Sequence, residues 1–129
     1  MTTISRHTIE RHRKLCIQKD INEANSWMFS MECFNTELEH LSIIEKQLLR
    51  DHSVSSALLT IRRKNVLLMA NLCKYEQELK VEFEYGDHDY DVNRYKVHEQ
   101  KRINYLKLVE ECNDFKNRFY QLISRYQRK

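Results

Sequence analysis

The sequence predicts an all-α fold of long helices, coiled-coil or extended helical hairpin in architecture, with no sheet. Three observations carry that expectation. The chain of 129 residues holds no proline and a single glycine, Gly86, where average usage would place roughly 6 and 9. Both residues serve turns, proline by presetting φ and glycine by reaching positive φ, so this chain has few places to turn. Apolar residues then recur three or four apart over most of the length, the spacing of one helix face. Finally, the segment 54–85 keeps a strict heptad over about four repeats.

The first helix is expected over about residues 3–50. Its stripe runs Ile17, Ile21, Ala24, Met28, Met31, Phe34, Leu38, Leu41, Ile44 and Leu48, and Trp27 and Ile43 widen it toward more than one neighbour. At 1.5 Å per residue such a helix is ~70 Å long. The mean helix has only ~11–12 residues, which points to an extended molecule or a long bundle. Asp51-His52-Ser53 interrupts the stripe, and Ser53 can cap a second helix. Whether the chain turns back there or bends and continues stays open.

In the second helix Val54, Ile61, Leu68 and Tyr75 fall seven apart, as do Leu58, Asn65, Leu72 and Leu79. Asn65 replaces an apolar residue in the seam, where a buried amide costs stability but can fix register. Arg62, Arg63 and Lys64 near the start contrast with Glu76, Glu78, Glu82 and Glu84 near the end. That polarity favours an antiparallel neighbour over a parallel in-register homodimer. Gly86 reads as a left-handed helix stop. Asp89 and Asp91 read as caps for a third helix, about Val92 to Tyr126, whose stripe is Tyr105, Leu108, Cys112, Phe115, Phe119, Leu122 and Tyr126. Arg125, Arg128 and Lys129 suit its C-terminus electrostatically. The chain thus divides into a long N-terminal helix (1–52), a heptad helix (53–86) and a C-terminal helix after an acidic turn (87–129).

Composition narrows the function classes. Charged residues are 32% and hydrophobic ones 41%, and no run approaches the ~18 apolar residues of a membrane span. No apolar signal core opens the chain, so secretion is not expected. Cys16, Cys33, Cys73 and Cys112 show no C-x-x-C spacing, which fits reduced thiols in a cytosolic compartment. A net charge of +3 does not single out nucleic acid. Arg6, Arg11, Arg13 and Lys14 faintly resemble a transit peptide or a bZIP basic region. They lack the asparagine-studded arginine density of a DNA-reading helix and read instead as a solvated basic start.

Constellations with chemistry fail on inspection. Asp87-His88-Asp89-Tyr90-Asp91 opens like a calcium loop, but Val92 and His98 stand where glycine and the bidentate glutamate belong. His12 and Cys16 share a helical face at i, i+4, yet no third or fourth zinc ligand follows at metal spacing. One glycine cannot build a phosphate loop, and nothing resembles a nucleophile elbow. The expectation is a non-catalytic protein with no cofactor, metal or small-molecule substrate, and no nucleic-acid or membrane partner. Its aromatics serve either as core or as partner anchors.

The segment 61–79 reads I-R-R-K-N-V-L-L-M-A-N-L-C-K-Y-E-Q-E-L. It resembles an element of ciliary coiled-coil proteins, the short cilia- and flagella-associated microtubule inner proteins: an arginine pair (Arg62, Arg63), paired leucines (Leu67, Leu68), Tyr75 with Glu78-Leu79, and a nearby glycine. The stretch 38–49 is similar in character. Asn71 departs from the pattern, in which a glutamate often follows the leucines. The resemblance implies a structural component of the cytoplasmic cytoskeleton, in the axonemal doublet of a cilium or flagellum, binding tubulin and neighbouring inner proteins. Trp27, Phe34, Arg62, Arg63, Asn65, Tyr75, Glu78 and Leu79 would form the partner surface. The alternative is a self-contained, spectrin-like three-helix adaptor, which requires the first helix to fold back near Asp51 or break near 22–26.

Overall fold

The computed structural model describes residues 5–86 and 89–126, and the side chain of Tyr126 is not among them. Asp87, His88, Arg128 and Lys129, invoked above for the acidic turn and the last helix end, lie outside the described residues. The chain forms α1 (Arg6–Ile44), a π-helical turn (Glu45–Leu49), α2 (His52–Tyr85) and α3 (Val92–Tyr126). No strand occurs among the described residues.

The α1 helix starts where Ser5, in extended conformation, accepts the Thr8 amide at 3.1 Å. That satisfies one of the orphan N–H groups of a first turn. The helix runs through 22–26 without a break. It ends by widening into the π turn, and Arg50 then adopts the left-handed conformation (φ 50°, ψ 41°) with its amide on the Glu45 carbonyl at 2.8 Å. This non-glycine left-handed residue costs roughly 1–2 kcal/mol, and the chain reverses on it. Asp51, not Ser53, caps α2. Its Oδ1 takes the Ser53 amide (2.9 Å), the Ser53 hydroxyl (2.8 Å) and the Val54 amide (3.4 Å). A carboxylate two residues earlier meets the N-terminal dipole with a full charge.

Pairings along the helices give an up-down-up bundle. Asn65 of α2 meets Met31 of α1, and Arg13 meets Glu82, so α1 and α2 run antiparallel. Lys64–Glu111 and Tyr75–His98 set α2 against α3 in the same sense. Glu23–Arg102 and Glu37–Lys116 leave α1 and α3 parallel. The open choice at residue 51 therefore resolves as a hairpin, and an extended molecule is not formed. All three stripes meet in one core, with Ile17, Ala24, Met31, Leu38, Leu58, Leu72, Cys112 and Phe119 among its most buried members. The exceptions lie beside the hairpin, where Leu48 and Ile43 are exposed.

Two features of the basic start and of the glycine differ from expectation. Arg13 is 1% exposed. Its guanidinium holds Glu10 (2.6 and 3.1 Å) and donates to the carbonyls of Glu82 (2.7 Å) and Phe83 (3.4 Å). A cation thus caps the C-terminal carbonyls of α2, closing the hairpin at its open end. Gly86 is extended (φ −72°, ψ 150°) rather than left-handed. Its need is space: an added Cβ would lie 2.5 Å from the Glu82 carbonyl oxygen and nearer still to the Glu82 carboxylate. At the other end of the acidic turn Asp91 caps α3 as expected, accepting the Arg94 amide at 3.0 Å.

Replacing Gly86 by alanine should destabilise the bundle by about 1–3 kcal/mol in urea unfolding, since the crowding outweighs the entropic gain of roughly 0.4–1 kcal/mol. A second expectation concerns acid. Hydrogen bonds from the Ser53 hydroxyl and the Val54 and Ser53 amides hold the Asp51 carboxyl below its ordinary 3.8. A depressed native value means the contribution is complete above that ordinary value and vanishes as pH falls through the lower one. Asp51→Asn, which still caps but cannot titrate, should flatten that limb of the melting-temperature curve. An unaltered curve would show the cap charge to be irrelevant.

Candidate functional site

Near the open end of the bundle the core turns polar. Asp20, one turn after Ile17 on α1, and His98, one heptad before Tyr105 on α3, both lie on apolar stripes and are buried. The His98 ring stacks on Trp27 (centroids 5.0 Å apart), and Trp27 stacks in turn on Tyr105 (5.6 Å) with Arg102 over its ring at 5.8 Å. His98 Nδ1 lies 2.6 Å from the Tyr75 hydroxyl. Nε2 of the same ring faces Asp20 Oδ1 at 3.4 Å and Glu23 Oε1 at 3.5 Å. Tyr90 donates to Asp20 Oδ2 at 2.5 Å, and Arg102 donates to Glu23 Oε2 at 2.6 Å and also binds Glu99. Each group therefore has one atom fixed by a neighbour and one atom turned inward.

The electrostatics follow from this enclosure. Burial pushes the Asp20 carboxyl up, against the Tyr90 hydrogen bond and any charge on His98 that would lower it. Burial pushes the His98 imidazole down, while both carboxylates pull the other way. Glu23, with burial opposed by the Arg102 hydrogen bond and charge, settles below its ordinary value. The Tyr75 and Tyr90 phenols are raised by burial and by the neighbouring Asp20. A cleft of about 330 Å³, lined by Cys16, Lys19, Tyr95 and Arg102 among others, opens onto the cluster from between α1 and α3.

Half of the eight residues expected to face a partner are occupied inside. Trp27, Tyr75 and Leu79 are buried core, and Asn65 donates to the Met31 carbonyl at 3.3 Å. These four therefore pack inside the bundle: folding back brings α1 onto the face an outside protein would have used. Phe34 is half-buried under the Lys116 ammonium, 5.0 Å from the ring centroid. Arg62 is half-buried and pairs with Glu39 at 3.8 Å. Only Arg63 and Glu78 of the eight stand exposed. The Asp20–Glu23–His98 cluster was not anticipated. Its signal was present, however: an aspartate and a histidine interrupting apolar stripes, where a charge is expensive unless partnered. The surface pair His12 and Cys16 does meet, with Sγ 3.7 Å from Nε2.

Comparison with known protein families, with characterised proteins and with solved structures found no match to this chain.

Tyr75→Phe should cost about 1–3 kcal/mol, because it leaves a buried ring nitrogen unbonded. Glu78→Ala, on the exposed side of the same helix, should stay within about 0.5 kcal/mol of the parent. Urea titration followed by Trp27 fluorescence reads both, and equal effects would reverse this division into inner and outer residues.

Proposed function

We propose that the chain is a non-catalytic adaptor, a self-contained three-helix bundle that joins other proteins through an outer helix face. One observation carries this reading: α2 has a second apolar stripe. Leu59, Val66, Leu67, Val81 and Tyr85 are 51–83% exposed. At 100° per residue they fall within a sector about 100° wide, roughly opposite the buried face of Val54, Leu58, Ile61, Leu72 and Leu79. That is the width of apolar stripe a helix normally buries. Arg63 and Lys74 lie within the same sector and are exposed. The partner that fits is an amphipathic helix with apolar anchors and acidic residues placed to meet those cations.

The axonemal reading is a more specific form of the same role, with tubulin and neighbouring inner proteins as partners. What favours it is the resemblance of segment 61–79, whose outward members Arg63 and Leu67 belong to this stripe. A chain that buries its own three stripes does not need such companions in order to fold. Isolated, it should therefore behave as a monomeric rod about one helix long, ~50 Å for 34 residues.

The test is Leu67→Glu combined with Val81→Glu. Both sites are exposed, so thermal stability should change little. Cross-links formed in ciliated cells through Lys64, Lys74 and Lys80 of the parent should disappear in the double variant. Co-sedimentation of the parent with doublet microtubules supports the axonemal form, and partner cross-links without it support the general adaptor. Cross-links that persist in the double variant, or none at all in the parent, overturn the docking face.

A further inference from the structure

We propose that Asp20, Glu23 and His98 form a binding site for a divalent transition-metal cation, with Zn²⁺ the appropriate probe. Three potential ligand atoms, one from each residue, all lie within 4.8 Å of one another. Tetrahedral zinc holds nitrogen and oxygen ligands at about 2.0–2.1 Å, which sets them roughly 3.3–3.4 Å apart. His98 Nε2 stands 3.4 Å from Asp20 Oδ1 and 3.5 Å from Glu23 Oε1. These separations match two ligands around a shared ion and are too long for good hydrogen bonds.

The second observation concerns the imidazole, not the acidic pair alone. His98 is only 3% exposed, and its Nε2, like the buried Glu23 Oε1, has no hydrogen-bond partner among the described residues. Buried polar atoms normally have partners. Here two that lack them converge on the same point. The surrounding shell is also the one a metal site requires. Tyr75 lies on the far nitrogen of His98, Tyr90 on the far oxygen of Asp20 and Arg102 on the far oxygen of Glu23. With Nδ1–H donated to the Tyr75 oxygen, the Nε2 lone pair points inward, and such outer partners fix tautomer and orientation. The cleft between α1 and α3 leaves room for a water or a further ligand in the fourth position. Lys19 Nζ, 3.9 Å from Glu23 Oε1, is largely exposed and free to swing into solvent as the cation enters.

The full chain, stripped with a chelator, is titrated with Zn²⁺ against a chromophoric competitor, and with Co²⁺ for its visible tetrahedral bands. One equivalent should bind and raise the melting temperature. Glu23→Gln and His98→Gln should each weaken Zn²⁺ by more than the about 10–100-fold expected for losing an outer partner, which Tyr75→Phe should show. Circular dichroism checks folding. Should His98→Gln not fold, Glu23→Gln, at the cleft rim, decides alone. Absence of stoichiometric binding by the parent, or unchanged affinity in Glu23→Gln, overturns the site. So does loss of binding in His12→Ala with retention in Glu23→Gln, which would move the ion to the His12–Cys16 surface pair.

Discussion

Reversal of the chain at Arg50 and Asp51 has to be achieved without glycine or proline, and every contact of α1 with α2 and α3 depends on it. The π turn lets α1 widen and unwind over its last residues, Arg50 takes the left-handed conformation, and the Asp51 carboxylate starts α2 at once. The unfavourable Arg50 backbone is held because both flanking helices satisfy their ends there, a local strain set against two helix termini. At the opposite end of the hairpin Arg13 ties α1 to the last carbonyls of α2. Between them the buried Asn65 amide is satisfied by the Met31 main-chain carbonyl. Register is therefore pinned at both ends of one helix pair, and α3 closes against the surface they create.

The core that results is segregated along its length. Toward the hairpin it is mainly apolar, with Leu38, Leu41, Val54, Leu58, Phe115 and Phe119, and Glu45 of the π turn is the buried charge there. Toward the open end it holds Arg13, Asp20, His98 and the buried Glu76. Burying these groups costs stability that apolar residues of equal volume would not. The hydrogen bonds from Tyr75, Tyr90 and Arg102 offset part of that cost and leave inward-facing atoms uncompensated. Of these atoms Glu23 Oε1 and His98 Nε2 are the ones the proposed cation site would use, while Glu82 Oε1 lies outside it.

Legibility divided along the same line. Periodicity found all three helices and nearly every core position, because i, i+3 and i+4 spacing reports directly on which side of a helix is dry. It did not resolve the turn, since Arg50 carries no glycine signature. It misread Gly86 and Arg13 because local rules assign glycine to left-handed stops and arginine to solvent. In both cases a contact with Glu82, distant in sequence from Arg13, decides the matter. Trp27, Asn65, Tyr75 and Leu79 had no unique reading until α1 was known to fold onto α2. Asp20 and His98 come from helices that are not consecutive, so no spacing rule joins them.

The two proposed surfaces also separate in space, and the helix geometry explains why. The residues of α2 that contact α1 and α3 occupy one side, so its second apolar stripe faces away from the core. The polar cluster opens instead between α1 and α3, through a cleft lined by Cys16, Lys19, Tyr95 and Arg102. A cation bound there would draw α1 and α3 together through Asp20, Glu23 and His98 without crossing the outer face of α2. Any influence on docking would pass through Tyr75, which touches His98 from α2. Such coupling would act on the rigidity of α2 and not on the chemistry of its exposed side chains, so occupancy and docking are expected to be separable.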